Sequence, residues 1–272
     1  MRRSVLVILL LLTGLASVRA EILETPNLKS CLTAATQAIG GLTAKQVIYV
    51  FDIDNTLLAL NQNLGSVQWF RWQQTLINEN KKENRVADTI DELLSKQGLI
   101  YHLSKTRTPE VSTSSEVASL QQQGHIVLYH TSRNPDVRNI TERDLFAHGL
   151  LPMKNTLGTS KGYPGNFSFL TGPENQRTVS FQNGIYMSAG QDKGIWLKLL
   201  FEKTSTSVNH LVFIDDELKN LQNVERAFND ITPMTLCRYG QVDDVVQEFN
   251  QSDKAQEIKL WNELDSVWSK FN

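Results

Sequence analysis

The run Val47-Ile48-Tyr49-Val50-Phe51 has no polar residue at any position. A strand with one wet face alternates polar and apolar residues, so a run that is apolar throughout belongs in a sheet covered on both sides. Two later segments have a similar character: His125-Ile126-Val127-Leu128-Tyr129-His130 and His210-Leu211-Val212-Phe213-Ile214. β-branched and aromatic residues dominate all three. Helical patterns separate them, and strand alternating with helix indicates an α/β fold with a central parallel sheet.

Helices are predicted from about Asn27 to Ile39, closed by Gly40-Gly41, and from Pro109 to Gln123, with Thr108 as cap and Gly124 as stop. Others run from Pro135 to His148, from Ile195 to Lys203 after the opening pair Lys193-Gly194, and from Glu217 to Phe228. Residues 253–271 read as an amphipathic helix with Ile258, Trp261, Leu264, Val267, Trp268 and Phe271 on one side. Met234 to Tyr239 reads as a last short strand. Phe181 to Tyr186 carries an Asn-Gly turn between apolar residues, a hairpin signal. Leu150 to Thr178 is rich in Gly, Pro, Asn, Ser and Thr and reads mostly as loop. Residues of about 60–105 hold Trp69, Phe70, Trp72, Leu76 and Ile77 at helical spacing and read as a small helical insertion. Trp69 and Trp72 pack its core or stack on a bound ring.

The chain has 272 residues and a net charge of −2. That balance argues against a non-specific nucleic-acid binder. Arg2 and Arg3 precede the apolar run Val5 to Leu12, and Val18-Arg19-Ala20 suits a signal peptidase. Residues 1–20 therefore read as a signal peptide, with a retained anchor as the alternative. The run is short for a bilayer span. The expected location is the periplasm or outside the cell, without stable membrane insertion after cleavage. Residues 21–272 then form one domain carrying the insertion. In an oxidising compartment Cys31 and Cys237 could form a disulfide between the first helix and a late strand; two buried thiols are the alternative.

Ligands of open α/β sheets sit outside the carboxyl ends of the strands. The first strand ends at Asp52 and Asp54, the second at Thr131, the third at Asp215 and Asp216. Buried strands would bring these ends together. The order of an Asp-x-Asp-x-Thr segment, a strand ending in Thr, a Lys and a strand ending in Asp-Asp resembles the haloacid dehalogenase superfamily, over roughly residues 45–230. The resemblance is to an exported, acid-phosphatase-like member. It implies a Rossmann-like three-layer α/β/α core with the motif strands central, a cap over the site, and a phosphoric monoester hydrolase acting on a small phosphorylated substrate. Asp52 would attack phosphorus and form an aspartyl-phosphate. Asp54 would protonate the leaving oxygen and then take a proton from water. Thr131 would bind a phosphoryl oxygen, with Ser132 beside it, and Lys193 would neutralise charge and hold Asp52. Arg133 could reach a substrate phosphate or carboxylate, or form a salt bridge near the following helix start. Lys198 and Lys203 compete for that role.

Clustered carboxylates facing a phosphate require a hard cation. The resemblance makes it Mg2+, held by Asp52 and Asp215, the backbone carbonyl of Asp54, and Asp216 directly or through water. A different reading is an exported interaction module on the same scaffold, with little turnover.

Overall fold

The computed structural model of the chain describes residues 21–151, 157, 167–170, 177–229 and 232–271. The signal-peptide reading of residues 1–20 lies outside them.

The chain starts with strand β1 (Ile22–Thr25), helix α1 (Leu28–Ile39) and strand β2 (Val47–Phe51). The insertion follows: β3 (Ala59–Leu60), α2 (Val67–Asn78), α3 (Ile90–Leu103) and β4 (Thr106–Arg107). Next come α4 (Thr113–Gln122), β5 (Ile126–Thr131), α5 (Arg138–Ala147), β6 (Phe167–Leu170), β7 (Val179–Gln182) and β8 (Ile185–Met187). The remainder is α6 (Lys193–Lys203), β9 (His210–Asp215), α7 (Leu218–Phe228), β10 (Met234–Tyr239), α8 (Asp243–Gln251) and α9 (Ala255–Trp268).

Eight strands form one sheet in the order β1-β10-β9-β2-β5-β8-β7-β6. Pairings from β1 through β8 are parallel, and the last two are antiparallel. The fold is α/β with a central, mostly parallel sheet between helices. The motif-bearing strands β9, β2 and β5 are adjacent at its centre, and every residue of β2 and β9 is buried.

Side chains of β2 alternate between two cores, as the strand period requires. Val47, Tyr49 and Phe51 face one core, which includes Leu28 and Leu32 of α1 and Leu120 of α4. Ile48 and Val50 face the other, with Trp196 of α6 and Val224 of α7. Cys31 and Cys237 are disulfide-bonded with a Cα separation of 5.8 Å, tying α1 to β10. Asn27 caps α1 by accepting from the Ser30 amide at 2.9 Å.

β3 and β4 pair antiparallel and close the base of the insertion. Its core contains Trp69, Leu93 and Ile100, but also Phe249 of α8 and Trp261 of α9. The cap is thus completed by the C-terminal helices, which a reading of residues 60–105 alone omits. Trp69 and Trp72 belong to this cluster. Among the described residues, no helix is long and apolar enough to cross a membrane.

Several boundaries differ from the sequence reading. α4 begins at Thr113, not Pro109. Glu110 is drawn across to accept from the Leu28 amide and the Tyr239 hydroxyl, both at 2.7 Å, and this holds the preceding residues in a turn. The segment read as loop contains β6, which extends the Asn183-Gly184 hairpin by one strand. Both turn residues have positive φ, 52° and 73°, the geometry that Asn-Gly serves. β1, of four residues, and α8, of nine with Phe249 buried, went unread because each is too short to establish a period. The apolar stripe of α9 is covered at Trp261 but exposed at Val267 and Trp268; the helix ends at Trp268, so Phe271 of the predicted stripe lies beyond it and is exposed.

Candidate active site

β2 delivers Asp52 to the carboxyl edge of the sheet. The Asp52 amide donates to the Ile214 carbonyl of β9 at 2.9 Å, which places Asp52 beside Asp215. The chain then turns tightly. The amides of Thr56, Leu57 and Leu58 all point to the Ile53 carbonyl, and Asn55 adopts φ 62°, a conformation that Asn tolerates. The Asn55 side-chain amide donates to Asp216 Oδ2 at 3.3 Å.

Asp52, Asp215 and Asp216 each offer a carboxylate oxygen within 4.8 Å of the others. All three are buried. The Lys193 ammonium donates to Asp52 Oδ1 at 2.5 Å and to Asp215 Oδ2 at 2.8 Å. Asp215 Oδ1 accepts from the Glu217 amide at 2.8 Å and from Asn220 Nδ2 at 3.0 Å.

Lys193 reaches this position because α6 packs very close to α7. A Cβ on Gly194 would lie 2.1 Å from the Asn223 carbonyl oxygen, so only glycine permits the approach. Asp192 caps α6, accepting from the Ile195 amide at 3.0 Å, and its other oxygen pairs with Arg226 of α7 at 2.9 Å. Lys193 is the α6 lysine that meets the carboxylates.

Asp54 stands apart from the cluster. Arg133 grips it with a two-pronged fork, Nε to Oδ2 at 2.9 Å and Nη2 to Oδ1 at 2.8 Å. The same guanidinium donates to Thr141 Oγ1 at 3.0 Å and lies 4.4 Å from the centroid of the Tyr101 ring of the cap. Thr131 is fully buried, and its hydroxyl oxygen accepts from the Arg133 amide at 3.1 Å.

A cavity of about 370 Å³ opens above these groups. Asp52, Asp54, Asp216, Ser132 and Arg133 form its floor, while Phe70 and Leu94 of the cap help to wall it. Thr131, Lys193 and Asp215 lie beneath the floor and do not line it. Trp69 and Trp72 do not line it either. The cap is clasped to the core by Arg71 of α2, paired with Glu217 at 2.6 Å, in addition to the Arg133–Tyr101 contact.

Charge follows from this burial. Desolvation, with the neighbouring Asp215 and Asp54, pushes Asp52 up to about 7 against the pull of Lys193. Burial and the nearby Asp215 and Asp52 charges likewise hold Asp216 well above the carboxylate range. Burial pulls Lys193 down, but Asp215 and Asp52 outweigh it and hold its ammonium above the usual lysine range. Such a carboxylate-rich site, short of cation, has the donor chemistry of a hard divalent metal site.

His130 sits on the other face of β5 from Thr131, as strand alternation requires. It is fully buried, its ring 4.9 Å from Tyr186, and among the described residues neither ring nitrogen has a partner. Burial, reinforced by the Lys193 charge, holds it well below its ordinary value of 6.5. A base whose folded value is depressed costs the protein stability as pH falls below its unfolded value. His130→Leu removes that cost. The variant should therefore gain on wild type as pH drops below about 6.5, by up to about 1.4 kcal/mol per pH unit. Denaturant unfolding at several pH values checks this; a pH-independent difference would show that His130 takes up its proton in the fold as readily as in the unfolded chain.

Asn55 and Asn220 were not singled out from sequence, and Gly194 was read only as a helix opener. Asn55 lies inside the Asp-rich segment and Asn220 one turn beyond Asp215-Asp216, so proximity to the motifs was their available signal.

Residues 24–270 match the family model described as DUF2608, protein of unknown function. The chain belongs to the DUF2608 family. That description names no activity for its members. No curated protein matches the chain. For this DUF2608 member, functional argument therefore rests on the site itself.

Proposed function

We propose that this protein is a Mg2+-dependent phosphomonoester hydrolase of the haloacid dehalogenase type, exported from the cytoplasm, with Asp52 as nucleophile. One observation carries the reading: a buried lysine, Lys193, bridges Asp52 and Asp215 while Asp216 completes a three-carboxylate cluster at adjoining strand ends. A purely structural role would not call for a third buried carboxylate beside an ammonium that already pairs with two, because the net charge is costly to bury.

The donor set fits a small hard cation. Asp52, Asp215 and Asp216 would hold it, and Mg2+ when bound would neutralise phosphate oxygens and hold substrate against the carboxylates. Asp52 attacks phosphorus, the bond to the ester oxygen breaks, and the phosphoryl group passes to the Asp52 carboxylate. Asp54 donates a proton to the departing alkoxide. Water then attacks the phosphorylated Asp52, giving its proton to Asp54 and releasing phosphate. Arg133 positions Asp54 at the cavity floor; one of its two hydrogen bonds must yield as Asp54 turns to substrate. Lys193 keeps Asp52 oriented throughout.

The test is a panel of phosphate monoesters with Mg2+ and with chelator. Hydrolysis of at least one ester should appear, and chelation should reduce it by about two orders of magnitude or more. A Mg2+-loaded protein silent across the panel, yet capturing one protein partner, would sink the hydrolase reading and favour an interaction module.

A further inference from the structure

A second cavity, of about 210 Å³, lies between the cap and α9. Trp69, Trp72 and Trp261 line it, and so does Glu257 in the first turn of α9. None of these four residues borders the Asp52 cavity.

Glu257 is only 5% exposed. Among the described residues no hydrogen bond or ion pair engages its carboxylate. With no such partner, the carboxylate opens onto the cavity. The N-terminal end of α9 favours its negative charge but gives it no hydrogen bond.

Two of the other polar side chains on the wall are committed elsewhere, while among the described residues the side-chain amides of Asn84 and Asn262 are not. Arg85, the one cation on it, pairs with Asp88 and donates to Asn80. Gln73 donates to the Asn84 carbonyl and accepts from the Val86 amide, both at 2.9 Å. Glu257 is therefore the unmatched charge on a wall that three indoles share with the Asn84 and Asn262 amides.

Indole faces attract cations through their quadrupole. Trp261 already does so: the Lys96 ammonium, held by Glu92 at 2.7 Å, lies 5.4 Å from its ring centroid. A bare ammonium draws chiefly on hydrogen-bond acceptors, whereas three of the ten residues on this wall are tryptophans. A methylated ammonium needs charge and apolar contact instead. The volume is below the roughly 300–1,000 Å³ of pockets for drug-sized ligands, so a small head group suits it.

We propose that this cavity binds an organic ammonium ion, a methylated head group held among Trp69, Trp72 and Trp261 against Glu257. The site is separate from the Asp52 cavity, and the inference does not depend on the hydrolase reading.

Choline is the probe, titrated into the full chain while tryptophan fluorescence is followed; three of the five tryptophans line the cavity. The control is its uncharged carbon isostere, with a tert-butyl group in place of trimethylammonium. A saturable response to choline is expected, with the isostere weaker by about ten-fold or more. Glu257→Gln should weaken choline by a similar factor while its thermal unfolding stays close to wild type. If that variant does not fold, Trp72→Leu, at a half-buried position, is judged by the same loss. The proposal is overturned by no saturable response up to about 10 mM choline, by equal responses to choline and isostere, or by wild-type affinity in the folded variant. In those cases the cavity holds water around Glu257.

Discussion

Asp52→Asn should abolish hydrolysis of an aryl phosphate while leaving the protein folded. An amide cannot displace the ester oxygen, and loss of a nucleophile typically costs on the order of 10⁴-fold or more in turnover. The fold should survive because the substitution preserves shape and leaves the Lys193–Asp215 pair at 2.8 Å in place. It also removes one negative charge from a crowded cluster. Asp52 has a folded value of about 7 against 3.8 in the free state, so the native protein binds the extra proton between those limits. Stability of the metal-free wild type therefore falls as pH rises through that window. The variant lacks this loss, so its stability relative to wild type should improve from about pH 4 to about pH 7. Turnover with Mg2+ and unfolding in chelator measure the two effects separately. Wild-type turnover by the folded variant would remove Asp52 from the mechanism.

How far the site was legible depends on the reach of each interaction. β2, β5 and β9 were readable because a strand buried on both faces is apolar along most of its length, and after the N-terminal run Val5 to Leu12 these three segments carry that pattern most clearly. Asp52, Asp215 and Asp216 followed from their positions at those strand ends. The grip of Arg133 on Asp54 was not readable. It joins residues 79 positions apart, and whether Arg133 faces substrate or a carboxylate depends on a turn that periodicity does not describe. Gly194 was seen only as a helix opener, since its requirement comes from the Asn223 carbonyl of another helix. The cap was underestimated for a similar reason. Trp69 looked like the core of a local insertion, but its ring packs 6.4 Å from that of Trp261, almost two hundred residues later in the chain. The exposed end of α9 shows the converse: an apolar stripe marks a face that can be buried, while only a partner decides whether it is.

Lys193→Met should destabilise the metal-free protein by about 3–5 kcal/mol at neutral pH, far more than Asp52→Asn. Methionine fills much of the same space, so the loss is chiefly electrostatic. Lys193 is the cation that both Asp52 and Asp215 contact, and it is 1% exposed, so water cannot replace it. Removing it leaves buried carboxylates facing one another, which breaks a buried pair rather than exchanging it for an apolar one. The pH dependence separates this from lost packing. Without the lysine the cluster holds protons more tightly in the folded state than it does in wild type. The stability gap should therefore widen as pH rises and shrink as pH falls through the range in which Asp52 protonates. Mg2+ should recover part of the loss, because a divalent ion among Asp52, Asp215 and Asp216 supplies the missing positive charge. Urea unfolding with chelator and with Mg2+, each across pH, reads all three effects. A gap that ignores both pH and metal would mean that Lys193 supports the fold through packing alone, and that the carboxylates are neutral in its presence.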